Sequence, residues 1–194
     1  MYIETALSGD LELRITFNDF QIVHTQDGYI LNMQRIPSIK DGPKQVVFLQ
    51  HGLSDSSATW VLDFKNQSLG FILSDVGYDV WLGNVRGNLY CLNHERLNPK
   101  DEAFWDFSFD EISNFDLTAM VDYVLRVTNV AQLIYIGHSQ GSMIQFAQLS
   151  KNQVLASKIK LFIALGPVAT ISHIQGPIRR IGIFLKELKI IEQK

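Results

Sequence analysis

The sequence predicts an α/β fold: a mostly parallel sheet that opens with an antiparallel hairpin. Three observations carry this reading. Short unbroken apolar runs, each ending at or next to a glycine, alternate with stretches of helical periodicity, which implies parallel strands joined by right-handed crossovers. An Asp27-Gly28 pair lies between two strand-like runs near the N-terminus, where it supplies the positive φ values of a hairpin turn. A later apolar run leads straight into Gly137-His138-Ser139-Gln140-Gly141 and then a helical stretch, the order of strand, sharp turn and helix.

Taken along the chain, residues 21–25 and 29–33 are the two arms of the hairpin. Residues 45–50 form a continuous apolar run closing at His51-Gly52, which suits a parallel strand buried on both faces. A helical stretch at 68–75 precedes a second such strand at 79–82, closing at Gly83-Asn84-Val85-Arg86-Gly87. A longer helix is expected from Ser108 or Asp110 to Thr128. There Ile112, Phe115, Leu117, Met120, Val121, Val124 and Leu125 recur near a 3.6-residue period. The strand at 133–136 feeds the pentapeptide and its helix, and a last apolar run at 159–165 ends before Gly166-Pro167. The tail, 178–194, carries Ile181, Phe184, Leu185, Leu188 and Ile191 on one stripe with basic residues around it. It reads as an ordinary packing helix in preference to a membrane-surface one.

Composition narrows the function. With 194 residues, 46% apolar and 19% charged, the chain has the makings of one globular domain with a sizeable core. A net charge of −3 leaves no basic field to hold a phosphate backbone, which argues against nucleic acid as a partner. The single cysteine, Cys91, excludes an internal disulfide and reads as a small buried apolar residue. Residues 1–10 contain neither a basic n-region nor an apolar h-region, so either the protein is intracellular or its true start is missing, and the compartment stays open. Asn66-Gln67-Ser68 is a glycosylation sequon with meaning only on a secretory route.

The pentapeptide places Ser139 as a nucleophile at a strand-to-helix corner, above a helix N-terminus that favours developing negative charge. Its setting is more specific than the motif. His24-Thr25-Gln26-Asp27-Gly28-Tyr29-Ile30-Leu31 with Arg35-Ile36-Pro37, Val47-Phe48-Leu49-Gln50-His51-Gly52-Leu53, Gly77-Tyr78-Asp79-Val80-Trp81-Leu82-Gly83-Asn84-Val85-Arg86-Gly87-Asn88, Phe104-Trp105-Asp106-Phe107-Ser108-Phe109-Asp110-Glu111 and the elbow itself follow one another in order. Together they resemble the acid lipase family of α/β-hydrolases, which includes gastric and lysosomal acid lipases and insect relatives, over residues 17 to 178. That resemblance implies hydrolysis of triacylglycerol or cholesteryl esters under a helical cap, with no metal or organic cofactor and with a lipid ester as the partner. By position it makes Ser139 the nucleophile and the backbone N–H groups of Leu53 and Gln140 the oxyanion hole.

The departures from the family matter as well. An α/β-hydrolase orders its triad Ser, then Asp or Glu, then His. After Ser139 there is no Asp, and the one His, His173, precedes both Glu187 and Glu192. The reading is therefore an N-terminal portion truncated after about the sixth strand: an extension at 1–16, a partial core at 17–170, and the start of a cap at 171–194. The missing Asp and His are expected beyond residue 194, with little or no turnover by this chain alone. The competing reading is a non-catalytic lipid-binding or regulatory protein that keeps the fold. Smaller departures are Ser142, where the family commonly has Thr, and Gly166, where Ala is usual.

Among the other candidates, His138 is read as an elbow neighbour and His51 as a residue holding the oxyanion loop by hydrogen bonds. His24 and His94 are structural or surface residues, and no histidine spacing suits a metal. Asp116 and Asp122 come too early to be the triad acid and suit a helix-to-loop hydrogen bond or a solvated face. Asn84-Val85-Arg86-Gly87-Asn88 lacks the phosphate-loop lysine and is expected to be a loop at the site's rim.

Overall fold

The computed structural model describes residues 20–42 and 44–170. The extension at 1–16, His173, Glu187, Glu192 and the amphipathic stretch 178–194 lie outside them. The strands in chain order are β1 (Phe20–His24), β2 (Tyr29–Ile36), β3 (Val46–Gln50), β4 (Asp79–Gly83), the two-residue β5 (Asn93–His94), β6 (Leu133–His138) and β7 (Ile159–Leu165). The helices are α1 (Leu69–Val76), α2 (Phe109–Glu111), α3 (Leu117–Thr128), α4 (Gln140–Lys151) and α5 (Gln153–Ser157). One sheet holds all seven strands in the order β1-β2-β4-β3-β6-β7, with β5 paired to β2. The hairpin and the β2–β4 pairing are antiparallel, and β4, β3, β6 and β7 run parallel.

Period-2 alternation splits the core in two. Met33, Phe48, Trp81 and Tyr135 face Leu117, Met120, Val121 and Val124 of α3 on one side of the sheet. Val47, Leu49, Val80, Leu82, Ile134 and Ile136 face Phe71 of α1 and Trp60 on the other. Every residue of β3 and β4 is buried, which is why these runs carry no polar alternation.

Two details differ from the simple sequence pattern. In the hairpin turn Gly28 alone takes the positive φ, 101°. Asp27 serves by its carboxylate instead, accepting the Thr25 hydroxyl at 2.6 Å. The helix expected over 108–128 is present but not uniformly α: residues Ile112–Asp116 form a π turn between α2 and α3. The wider turn lets Ser113 and Asp116 face inward along with Ile112, and Ser113 Oγ donates to the Ile144 carbonyl of α4 at 2.9 Å. Ser108 and Glu111 cap the start reciprocally, and Asn129, at φ 54°, ends α3.

Candidate active site

Parallel pairing of β3 with β6 aligns Gln50 with Gly137, so the segments that follow these strands, His51–Leu53 and His138–Gln140, emerge side by side at the C-terminal end of the sheet. This is where α/β folds expose their loops. A Cβ added to Gly52 would stand 3.1 Å from Ser139 Cβ and 3.2 Å from His138 Nδ1.

Ser139 has φ 51° and ψ −114°, a conformation that L-residues rarely occupy. The surrounding bonds over-determine it. Its N–H donates to the Leu165 carbonyl of β7 at 2.9 Å, and its carbonyl accepts Ser142 N–H at 2.9 Å, Met143 N–H at 3.2 Å and the Ser142 hydroxyl at 2.6 Å. The Ser142 hydroxyl in turn accepts Val168 N–H at 3.0 Å, so a small hydroxyl residue at this position is fully used.

The two elbow glycines are required by proximity, since neither has positive φ. A Cβ on Gly137 would lie 2.6 Å from the Gly141 carbonyl oxygen, and one on Gly141 would lie 2.5 Å from the Gln50 carbonyl oxygen. The turn is therefore folded against its own helix and against the end of β3. Among the described residues, the N–H groups of Leu53 and Gln140 have no acceptor, and both residues line one open cleft of about 960 Å³. His51, Asn88, Trp105 and Phe109 also border that cleft. Leu53, Leu89 and Trp105 expose large apolar surface around it.

His51 is 2% exposed. Its Nδ1 contacts the Gly52 carbonyl at 2.8 Å, and its Nε2 faces Val85 N–H at 3.4 Å and Asn88 Nδ2 at 3.2 Å. Burial pushes its pKa below the ordinary histidine value, with the Gly52 bond and the Asp55 charge opposing. His51 is thus a neutral strut under the loop carrying Leu53. The ring of exposed His138 borders Gly52 and Gly166. His94 accepts the N–H groups of Arg96 and Leu97 and meets the Asp27 carbonyl, and His24 pairs with Glu95 at the surface.

The loop at 84–88 borders the cleft and is anchored from below. Buried Arg86 donates to Asp116 through Nε at 2.8 Å and its backbone N–H at 2.8 Å, and to Asp27 through two nitrogens at 2.6 and 2.9 Å. Its guanidinium lies 3.9 Å from the Tyr29 ring centroid. Burial pushes the Asp116 carboxyl up to about 6 against the pull of Arg86. For Asp27 burial also opposes ionisation, but hydrogen bonds from Arg86 and Thr25 prevail and hold its carboxyl below the usual value.

Asp116 is thus a helix-to-loop anchor, while Asp122 meets Lys158 at the surface at 2.6 Å. Arg86 and Asp27 were not legible as partners, because no local spacing connects the hairpin turn, the rim loop and the π turn. Cys91 is buried and its thiol is pushed up to about 12 by that burial, which makes it inert. Among the described residues no three His, Cys, Asp or Glu side chains gather as a metal site.

Residues 45–180 match the family described as alpha/beta hydrolase fold, and residues 18–64 match the partial alpha/beta-hydrolase lipase region. The chain belongs to the α/β-hydrolase fold family. Within it the chain is similar to acid lipases. It is 46% identical over 166 residues to the lysosomal acid lipase/cholesteryl ester hydrolase of Homo sapiens, covering 83% of this chain and 42% of that protein. It is 45% identical over 169 residues to the gastric triacylglycerol lipase of Rattus norvegicus, with 84% and 42% covered. It is 49% identical over 164 residues to lipase member K of Mus musculus, with 82% and 41% covered. The chain spans about two fifths of the length of these curated relatives. Among solved structures an esterase from a Rhodococcus species superposes with a TM-score of 0.56 at 17% identity, covering 79% of this chain and 48% of that one, which speaks for the fold.

Proposed function

We propose that this chain carries the nucleophile and oxyanion-hole half of a lipase-like carboxylic ester hydrolase acting on neutral lipids such as triacylglycerols or cholesteryl esters. The observation that carries the reading is Ser139 itself. A non-glycine residue held at φ 51° by four hydrogen bonds, beside two amides without acceptors among the described residues, stores backbone strain where a hydrolase needs a presented hydroxyl. In the reaction, Ser139 Oγ attacks the ester carbonyl and forms a bond to carbon while its proton passes to a histidine base. The N–H groups of Leu53 and Gln140 take up the negative charge of the tetrahedral oxygen. Collapse expels the alcohol, and water then releases the fatty acid. The apolar rim of Leu53, Leu89 and Trp105 suits an acyl chain.

Residues 140–170 hold no Asp, Glu or His, and the fold orders its triad Ser, then acid, then His, so we assign the acid and the base to sequence after residue 170. Without a base, the residual acceleration from binding and the oxyanion hole is on the order of 10³–10⁴ over water. The test is reaction of the folded 194-residue chain with a fluorophosphonate, followed by peptide mass spectrometry. Slow phosphonylation, faster at Ser139 than at any other serine but without the acceleration a base supplies, is expected. A folded chain that binds lipid yet leaves Ser139 unmodified would replace this reading with a non-catalytic lipid-binding one.

A further inference from the structure

The side chains beneath the rim loop form a closed set of hydrogen bonds whose directions are dictated by backbone groups. The Gly52 carbonyl can only accept, so the His51 nitrogen 2.8 Å away, Nδ1, must carry the ring proton. Val85 N–H can only donate, so Nε2 must be the bare acceptor. Asn88 is fixed in the same way. Its Oδ1 accepts Tyr90 N–H at 3.0 Å, which turns its amide nitrogen towards His51 Nε2 at 3.2 Å and Asn84 Oδ1 at 2.7 Å. Asn84 completes the set. Its Oδ1 also accepts Ser57 N–H at 2.9 Å, and its nitrogen donates to the Asn32 carbonyl at 2.8 Å and to Gln34 Oε1 at 2.9 Å. No member can flip without setting donor against donor.

The consequence reaches the site through one peptide plane. In a planar trans peptide the C=O and the following N–H point to opposite sides. A bond from His51 Nδ1 to the Gly52 carbonyl therefore aims the Leu53 N–H away from the buried imidazole. We propose that Asn88 is a positioning residue of the oxyanion hole: its donation to His51 Nε2, shorter than that of Val85 N–H, reinforces the Nδ1–H tautomer, and that tautomer holds the Gly52–Leu53 peptide in place. The inference rests on the reading of Leu53 N–H as an oxyanion donor. Asn88 itself needs no contact with substrate.

The experiment uses the whole 194-residue chain with ¹⁵N-labelled histidine. Ring-nitrogen spectra, with His51 assigned by its loss in His51→Gln, report the tautomer, and the maximal fluorophosphonate labelling rate of Ser139 reports the hole. Wild-type His51 is expected to be neutral with its proton on Nδ1 at neutral pH. Asn88→Asp keeps the size but offers an acceptor to Nε2, and is expected to place a proton there and slow maximal labelling about tenfold or more. The scale is set by the roughly 10²–10³-fold loss seen when an oxyanion donor is removed outright. Asn88→Leu serves as a second variant, and circular dichroism confirms that each is folded. A wild-type Nε2–H tautomer, or folded variants with wild-type ring spectra and labelling, would overturn the proposal. A wild-type chain that is never labelled overturns the nucleophile assignment and the use of the hole with it, while the ring spectra still decide whether Asn88 sets the tautomer.

Discussion

Gly141→Ala isolates the close packing of the elbow from its backbone conformation, because Gly141 does not sit at positive φ. The new Cβ would meet the Gln50 carbonyl oxygen at 2.5 Å and the His51 carbonyl oxygen at 2.8 Å, where ordinary contact begins at 3.4 Å. Both obstacles are backbone atoms, one at the end of a fully buried strand and one in the residue that follows it, so α4 must move by most of an ångström. Ala favours a helix over Gly by about 1 kcal/mol. Overpacking costs about 1–3 kcal/mol and more where backbone must yield, so a net loss of about 2 kcal/mol is expected. For a chain of this size that lowers Tm by about 4–8 °C. Thermal melts followed by circular dichroism measure it, and Gly42→Ala, whose Cβ has nothing within 4 Å, is the control for φ strain alone. Ser139 labelling by a fluorophosphonate is expected to fall in the same variant, because α4 begins at Gln140. A Tm that rises, as helix propensity alone demands, would refute the packing argument.

Further expectations concern the elbow, the buried charges and pH. Ser139→Gly should abolish labelling yet raise stability by about 1 kcal/mol in urea titrations, since glycine relieves the strain at φ 51°; a loss of stability would show that the serine is not strained. Asp116→Ala should cost about 3–5 kcal/mol by leaving Arg86 with Asp27 alone, and the double change Arg86→Met with Asp116→Leu should recover part of it. A double variant no more stable than Asp116→Ala would argue that the cluster is worth more than its desolvation.

The folded pKa of His51 is depressed below 6.5, so the unfolded chain takes up a proton that the folded chain refuses. Its contribution is complete above about pH 6.5 and is lost as pH falls towards the folded value. Asp116, with its carboxyl raised to about 6, acts in the opposite sense across part of this range. The quantity to measure is therefore the difference between wild type and His51→Gln, in which the Asp116 contribution is common to both and cancels. That difference should shrink as pH is lowered from 7 to 5, and a constant difference would mean that His51 titrates normally.

The hairpin, the buried parallel strands and the helix spans are legible in the sequence because each is written in local periodicity and turn chemistry. So are Ser139 at the corner and Leu53 and Gln140 beside it, through the pentapeptide and the family-like blocks around it. The π turn was not legible. It turns Asp116 inward to Arg86, a partner 30 residues away in the chain that no local pattern announces. Asp27 reads as half of a turn dipeptide, and nothing near it announces the guanidinium it meets 59 residues on.

What the sequence by itself determined is the order and type of the elements and the residue presented at the elbow, since both follow from interactions within a few residues. What the tertiary structure alone decided is the polar floor of the cleft: which nitrogen of His51 holds the proton, where Asn84 and Asn88 point, and how Arg86 divides itself between two carboxylates. Those choices depend on hydrogen-bond directions between segments from β2 to the π turn, and such directions exist only once the sheet has brought the segments together.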